Sequence, residues 1–289
     1  MNAIHAFLEV MQAVFGRLNF MPVADGKIYR FHVPGDRHGK FNGWYVLHLH
    51  VIAYGCFGSW KIGVTHHWTS RKPANPLEAA QARQHVAQTK RQHDAEELQR
   101  QNSAAEYARG LLSAASPANP HHPYLVAKGC LPHRLRQRGN ELLVPMYHDS
   151  QLVNVQRIFP DGTKRFLEGG MIKGCYSPIG HPVPGQSLTI CEGWATGATL
   201  HEDTGAPVAC AMSCHNLLAV GRHLRQRYPD IKLIIAGDDD RLTEVNPGRT
   251  AATKAAAALG CGLVFPQWPC NAPRGLSDFN DRRQWGTRQ

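Results

Sequence analysis

Three acidic residues, Glu192, Asp238 and Asp240, stand where the chain could do chemistry on a phosphate. Glu192 directly follows the strand-like run Leu188-Thr189-Ile190-Cys191, and Asp238-Asp239-Asp240 follows Leu233-Ile234-Ile235-Ala236-Gly237. In an open α/β sheet, ligands collect outside the carboxyl ends of the strands, so acids at two strand ends can share one crevice although far apart in sequence. Carboxylate oxygens suit Mg²⁺, which completes its shell with waters and substrate phosphates. In an Asp-x-Asp arrangement the first and third side chains can converge on a metal while the middle one points elsewhere. The competing reading is local, since Asp is favoured as a cap at strand-to-helix turns. Two such strand ends within one unit favour the metal reading.

The elements that must position these acids alternate. Strands at 187–191, 207–212, 231–237 and 262–266 are separated by helical stretches near 194–203, 216–228 and 249–259, the pattern of a parallel sheet with crossover helices. Upstream, 142–146 and 152–158 read as paired strands joined at His148-Asp149-Ser150. Pro160-Asp161-Gly162-Thr163 turns the chain into a return strand, Lys164-Arg165-Phe166. At the N-terminus, Ile4, Phe7, Leu8, Met11 and Phe15 fall at helical spacing. An aromatic, glycine-punctuated stretch follows, with short strands expected at 29–31, 44–50 and 60–64. Asn75-Pro76 starts a helix that stays polar to about residue 113, and Pro117, Pro120 and Pro123 end it. The expected division is a β-rich accessory module at 1–72, a helical linker at 73–118, a basic α+β subdomain at 119–184 and the acidic α/β domain at 185–289.

Charge points to the partner. The chain has 289 residues and a formal net charge of +10, an excess that suits a polyanion such as nucleic acid. Lys128, Arg134, Arg136, Arg138, Arg157, Lys164, Arg165 and Lys173 gather in the block before the acidic domain, where they could track a template backbone or grip triphosphates. Tyr29, Phe31, Trp44 and Trp60 could stack on bases, although aromatics in alternating strands more often belong to a core. No apolar run approaches the roughly 20 residues that span a bilayer, so no membrane partner is expected. Glu9 inside the first helix argues for a docked amphipathic segment rather than a secretion signal. Eight scattered cysteines without a CxxC pair suit reduced, buried thiols of a cytoplasmic protein. Zinc is disfavoured: His48, His50, Cys56, His66 and His67 lack ligand spacing, and Cys210, Cys214 and His215 include a buried-strand cysteine. With no G-x-x-x-x-G-K-[ST] loop, a helicase partner would be a separate protein.

Several segments resemble a known family. Thr189-Ile190-Cys191-Glu192-Gly193-Trp194-Ala195-Thr196-Gly197, Ile234-Ile235-Ala236-Gly237-Asp238-Asp239-Asp240 and Pro247-Gly248-Arg249-Thr250-Ala251-Ala252 resemble the TOPRIM domain, in the form found in plasmid- and phage-encoded DNA primases. His122-Pro123-Tyr124-Leu125, Leu143-Val144-Pro145-Met146, Gln156-Arg157-Ile158 and Gly162-Thr163-Lys164-Arg165-Phe166-Leu167 resemble the basic segment before TOPRIM in those primases. Ser277-Asp278-Phe279-Asn280-Asp281 resembles their terminal D-x-N-D box. The resemblance covers about residues 120–289. It implies an α/β fold: a Rossmann-like TOPRIM domain with a four-stranded parallel sheet, behind the basic α+β subdomain, the long helical linker and the β-rich module. It also implies a primase that makes short RNA primers on single-stranded DNA by metal-dependent nucleotidyl transfer, for plasmid or phage replication. Glu192, Asp238 and Asp240 become the catalytic, Mg²⁺- or Mn²⁺-binding residues, and Asp278 and Asp281 outer or second-metal carboxylates. The implied partners are single-stranded DNA, nucleoside triphosphates and a replicative helicase. The same carboxylates would serve a TOPRIM nuclease, and the same fold a non-catalytic single-strand-binding accessory; the basic block and the D-x-N-D ending favour the primase.

Overall fold

A computed structural model describes residues 2–36, 38–59, 61–183 and 185–287. Its contacts divide the chain into two compact units, Met1–Asp94 and Ala95–Gln289.

In the first unit, helix α1 (Ala3–Phe15) starts at Asn2, whose side chain accepts from the Ile4 backbone N–H, and buries Phe7, Met11 and Phe15. It packs on an antiparallel sheet ordered β1 (Tyr29–Phe31), β2 (Gly43–His48), β3 (Tyr54–Ser59) and β4 (Val64–Thr69). Alternation along β2 sends Tyr45 and Leu47 inward against Phe7 and Phe57. Phe31 is core, and Tyr29 stacks on Tyr45 at 5.4 Å, so both are committed to packing. Trp44 is half-buried on the opposite face of β2. Trp60 lies outside the described residues. The strand expected at 60–64 is corrected: Lys61, Ile62 and Gly63 form a turn, with Gly63 at φ +67°, and only Val64 enters a strand. Helix α2 (Pro76–Ser113) begins where Asn75 Oδ1 accepts from the Glu78 backbone N–H. It runs on into the second unit, where Ala108 and Leu111 join a core with Leu143, Val155 and Leu167.

The second unit holds two five-stranded sheets. One is antiparallel, β5 (Ser116–Pro117), β6 (Arg136–Arg138), β7 (Glu141–His148), β8 (Gln151–Ile158) and β9 (Lys164–Phe166) in order, with helix α3 (Pro123–Lys128) between β5 and β6. The other takes β10 (Ser177–Ile179), β11 (Ser187–Cys191), β12 (Val208–Cys210), β13 (Lys232–Ala236) and β14 (Gly262–Val264) in the order β10-β12-β11-β13-β14. Helices α4 (Trp194–Thr204), α5 (Leu217–Arg227) and α6 (Pro247–Leu259) make the crossovers, and α7 (Phe279–Thr287) follows β14. Strands β12, β11, β13 and β14 are the expected four parallel strands. The sheet departs from expectation in its fifth, β10, which runs antiparallel along β12.

Both faces of the parallel sheet are covered, which is why its strands read as unbroken apolar runs. Leu188, Ile190, Leu233 and Ile235 pack with residues of α5 and α6. Cys191, Val208, Cys210 and Ala236 face Trp194 and Ala198, in one core with Tyr124, Leu125, Leu142, Val144 and Ile158. The basic block and the acidic α/β domain therefore share a hydrophobic core. All eight cysteines are free, four of them buried.

Candidate active site

Strand β11 delivers Glu192 and strand β13, through Gly237, delivers Asp238. Glu192 is half-buried; loss of solvent pushes its carboxyl above the ordinary range, Asp240 adds to the rise, and the Cys214 backbone N–H and the more distant Lys164 oppose it. Asp238 is the most perturbed acid. Its Oδ1 is sealed from solvent and has no hydrogen-bond partner. Burial first, then the like charges of Glu192, Asp278, Asp240 and Asp281, push its pKa up to about 8.

The rest of the triplet is held by the start of α6. Asp240 Oδ2 accepts from the Gly248 backbone N–H at 2.9 Å, and the Asp240 N–H donates to Asn246 Oδ1 at 2.9 Å. A Cβ on Gly248 would meet Asp240 Oδ2 and the Asp238 carbonyl oxygen, both at 2.9 Å, so only glycine lets α6 come this close. Asp239 turns away: Asn246 Nδ2 donates to it at 2.8 Å and Arg249 Nε at 2.9 Å. Asn246 caps α6 from the left-handed region, φ 42°, which Asn tolerates better than most residues. Sequence reasoning missed Asn246, Gly248 and Arg249; the quoted Pro-Gly-Arg motif was the available signal.

The D-x-N-D box arrives through the Asp239 N–H, which donates to the Ser277 carbonyl at 2.7 Å. Asp278 Oδ1 accepts from the Asp281 N–H at 2.7 Å as the cap of α7. Its pKa is raised by burial and by Asp281, while hydrogen bonds from the Asp281 backbone and Thr196 oppose the rise. Asp281 reaches back one residue before the cap, accepting from the Ser277 N–H at 3.1 Å, and pairs with Lys128 Nζ at 3.5 Å. The unpredicted member is Asn280. Fully buried, it donates to the Lys128 carbonyl at 2.7 Å and meets Thr199 Oγ1 at 2.9 Å, pinning the basic block to the acidic domain.

Of the expected basic residues, Lys128 and Lys164 join the carboxylates. Lys164 is exposed as a residue, yet its ammonium end is desolvated over the Tyr124 ring at 5.8 Å. Desolvation and Lys128 lower its pKa, against the pull of Asp278, Glu192 and Asp238. Arg157 is engaged elsewhere, forked onto Glu141 at 2.8 and 2.6 Å across β7 and β8. Arg134, Arg136, Arg138, Arg165 and Lys173 are exposed; Arg134 lies 3.4 Å from His181 Nε2 and Arg136 donates to the Ala115 carbonyl.

The donor set suits a hard divalent cation. It offers carboxylate oxygens, one of them buried and unpartnered, in a cluster whose mutual repulsion a cation would relieve. Among the described residues, no three of these carboxylates bring oxygens within 4.8 Å of one another.

Acids at the carboxyl ends of neighbouring parallel strands, with the Asp278–Asp281 cap of α7 and two lysines beside them, define an acidic α/β domain. Residues 187–287 match the Toprim domain family, and this part of the chain is a Toprim domain. Over 85% of its length the chain is similar to two Escherichia coli proteins named DNA primase TraC, at 35% and 32% identity. It spans about a quarter or less of those relatives, 24% and 18%. A solved bacteriophage T7 lagging-strand DNA polymerase assembly, with primase domains of two gp4 subunits bound to an RNA/DNA hybrid and dTTP, aligns at a TM-score of 0.40 and 18% identity. That alignment covers 60% of this chain and 86% of that one.

Proposed function

We propose that this chain is the primer-synthesising part of a DNA primase, joining ribonucleotides into short primers on single-stranded DNA for plasmid or phage replication. The observation that carries the reading is the sealed, unpartnered oxygen of Asp238 among Glu192, Asp240 and Asp278, with Lys128 and Lys164 beside it. The names of the two relatives support it.

Asp238 and Asp240 would hold Mg²⁺ or Mn²⁺ in this reading, with Glu192 facing the ion and Asp278 flanking. A cation bound there would supply neutralisation of charge at the reacting phosphate and would lower the pKa of the primer 3′-hydroxyl. Lys164 and Lys128 draw the triphosphate in as point charges. Glu192, with its carboxyl raised by burial, accepts the hydroxyl proton. Asp281 serves as a positioning residue, fixing Lys128 and the cap of α7. Arg134, Arg136, Arg138, Arg165 and Lys173 follow the template backbone, and Arg157 braces the sheet through Glu141. A replicative helicase is a partner, and the work is cytoplasmic.

The test is incorporation of labelled ribonucleotides on single-stranded DNA with Mg²⁺ or Mn²⁺. Short products that require both template and metal are expected. Template cleavage without synthesis would replace this reading with a Toprim nuclease, and binding without either with an accessory protein.

A further inference from the structure

We infer a second metal site, built from His148, Asp149 and His223 and suited to Zn²⁺. His148 ends β7, Asp149 is the first residue of the turn into β8, and His223 lies in the middle of α5. Seventy-odd residues separate the two histidines in the sequence, so no short motif announces them.

The ligand atoms are already gathered. Among the described residues, this trio alone brings one ligand atom each from three His, Cys, Asp or Glu side chains within 4.8 Å of one another. His148 Nδ1 lies 3.3 Å from Asp149 Oδ2, and His223 Nε2 lies 3.6 Å from Asp149 Oδ1. Tetrahedral zinc with bonds near 2.0–2.1 Å sets neighbouring ligand atoms about 3.4 Å apart. The rings of the two histidines are 4.4 Å apart between centroids.

A second, independent observation concerns His223. Its side chain is only 10% exposed, and Nε2 is sealed from solvent without a hydrogen-bond partner. A buried polar nitrogen left unpaired is costly, and so rare enough to require a reason. A metal bond supplies one. Burial and the neighbouring His148 hold His223 below its ordinary pKa, which keeps it neutral and its lone pair available. Asp149 opposes that fall, while Arg227, whose guanidinium donates to Ser150 Oγ at 2.5 Å and Tyr228 Oη at 3.0 Å, adds to it.

Imidazole nitrogens select zinc over Mg²⁺, whereas the Toprim carboxylates favour the harder ion, so the two sites sort metals by chemistry. The exposed Asp149 leaves one side of the trio open to water as a fourth ligand. Because the trio joins the β7–β8 turn to α5, bound zinc acts as a staple between the antiparallel sheet and the Toprim sheet. The zinc candidates weighed from sequence lie elsewhere.

The test uses the full chain stripped of metal with a chelator and titrated with Zn²⁺ against a chromophoric competitor. Co²⁺ replaces Zn²⁺ for the visible absorption of a low-coordinate site. One equivalent of zinc at a Kd near or below about 1 µM is expected. His148→Gln and His223→Gln should each weaken it at least about tenfold and abolish the cobalt band. Asp149→Asn, at an exposed turn where folding is not at risk, should weaken it as well, and Asp238→Asn should leave it unchanged. A wild-type chain that takes up no zinc at roughly 10 µM, or folded variants that bind as tightly as wild type, would overturn the site. Neither result bears on primer synthesis.

Discussion

Among the described carboxylates, Asp238 is pushed furthest from its ordinary range. With its pKa pushed up to about 8, well above the roughly 4 of an unfolded chain, the folded protein keeps a proton that the unfolded chain has released. The metal-free protein therefore loses stability as pH rises from about 4 to about 8, because the folded state binds more protons throughout that window. Removing the acid removes the penalty. Asp238→Asn should raise the metal-free Tm at pH 8 by roughly 5 °C, and Mg²⁺ should raise the Tm of wild type but not of the variant. Thermal melts with and without metal decide this; a variant no more stable than wild type would contradict the buried-charge account. Glu192 and the acidic triplet were legible in sequence because each follows a strand-like apolar run. The company they keep was not. Asn246 and Arg249 act by holding Asp239 away from the crevice, a role set by side-chain direction rather than spacing. Arg157, expected among the template contacts, is forked onto Glu141 across β7 and β8, a partner that no local spacing announces.

At the level of elements, the D-x-N-D box is the joint. Asp278 caps α7, Asp281 accepts from the Ser277 N–H just before that cap, and Asn280 reaches from α7 to the carbonyl that ends α3. Deleting the Asn280 amide takes from the Lys128 carbonyl its amide donor, leaving only the weak Cys130 Sγ contact at 3.4 Å, and takes a partner from buried Thr199 Oγ1. Asn280→Ala should cost about 2–3 kcal/mol, read as a lower urea midpoint at unchanged slope; a loss within error of zero would show that the joint is redundant. The longer elements could be read from the chain because their periodicities are long: α1 and α2, the β7–β8 pair and the β11-to-β14 alternation all repeat over many residues. What escaped is mostly short, the exceptions being β3 (Tyr54–Ser59), broken in pattern by Gly55 and Gly58, and β4, of which only Val64 was expected. Strands β5, β6 and β10 have two or three residues each and owe their existence to the neighbours they pair with. Lys61-Ile62-Gly63-Val64 alternates like a strand, but Gly63 at positive φ makes it a turn.

For the whole molecule, the place to cut the chain lies inside α2. The helix is polar for most of its length, then buries Ala104, Ala105, Ala108 and Leu111. The last two pack with Ala115 against Leu143, Val155 and Leu167 of the second unit. A chain of residues 95–289 should unfold in one cooperative transition. One of 119–289, which strips that layer away, should be less stable by at least about 3 kcal/mol, a difference that denaturant titration resolves. Equal stabilities would mean that the end of α2 is dispensable to the core.

The central claim, that the Toprim carboxylates serve catalysis rather than template capture, is tested most directly by measuring two quantities on the same proteins. These are the rate of ribonucleotide incorporation on single-stranded DNA, and the affinity for that DNA, in wild type and Asp238→Ala. The account predicts that incorporation falls by about 100-fold or more while template affinity stays within about threefold. Retained synthesis, or a parallel loss of synthesis and binding in a folded variant, would contradict it.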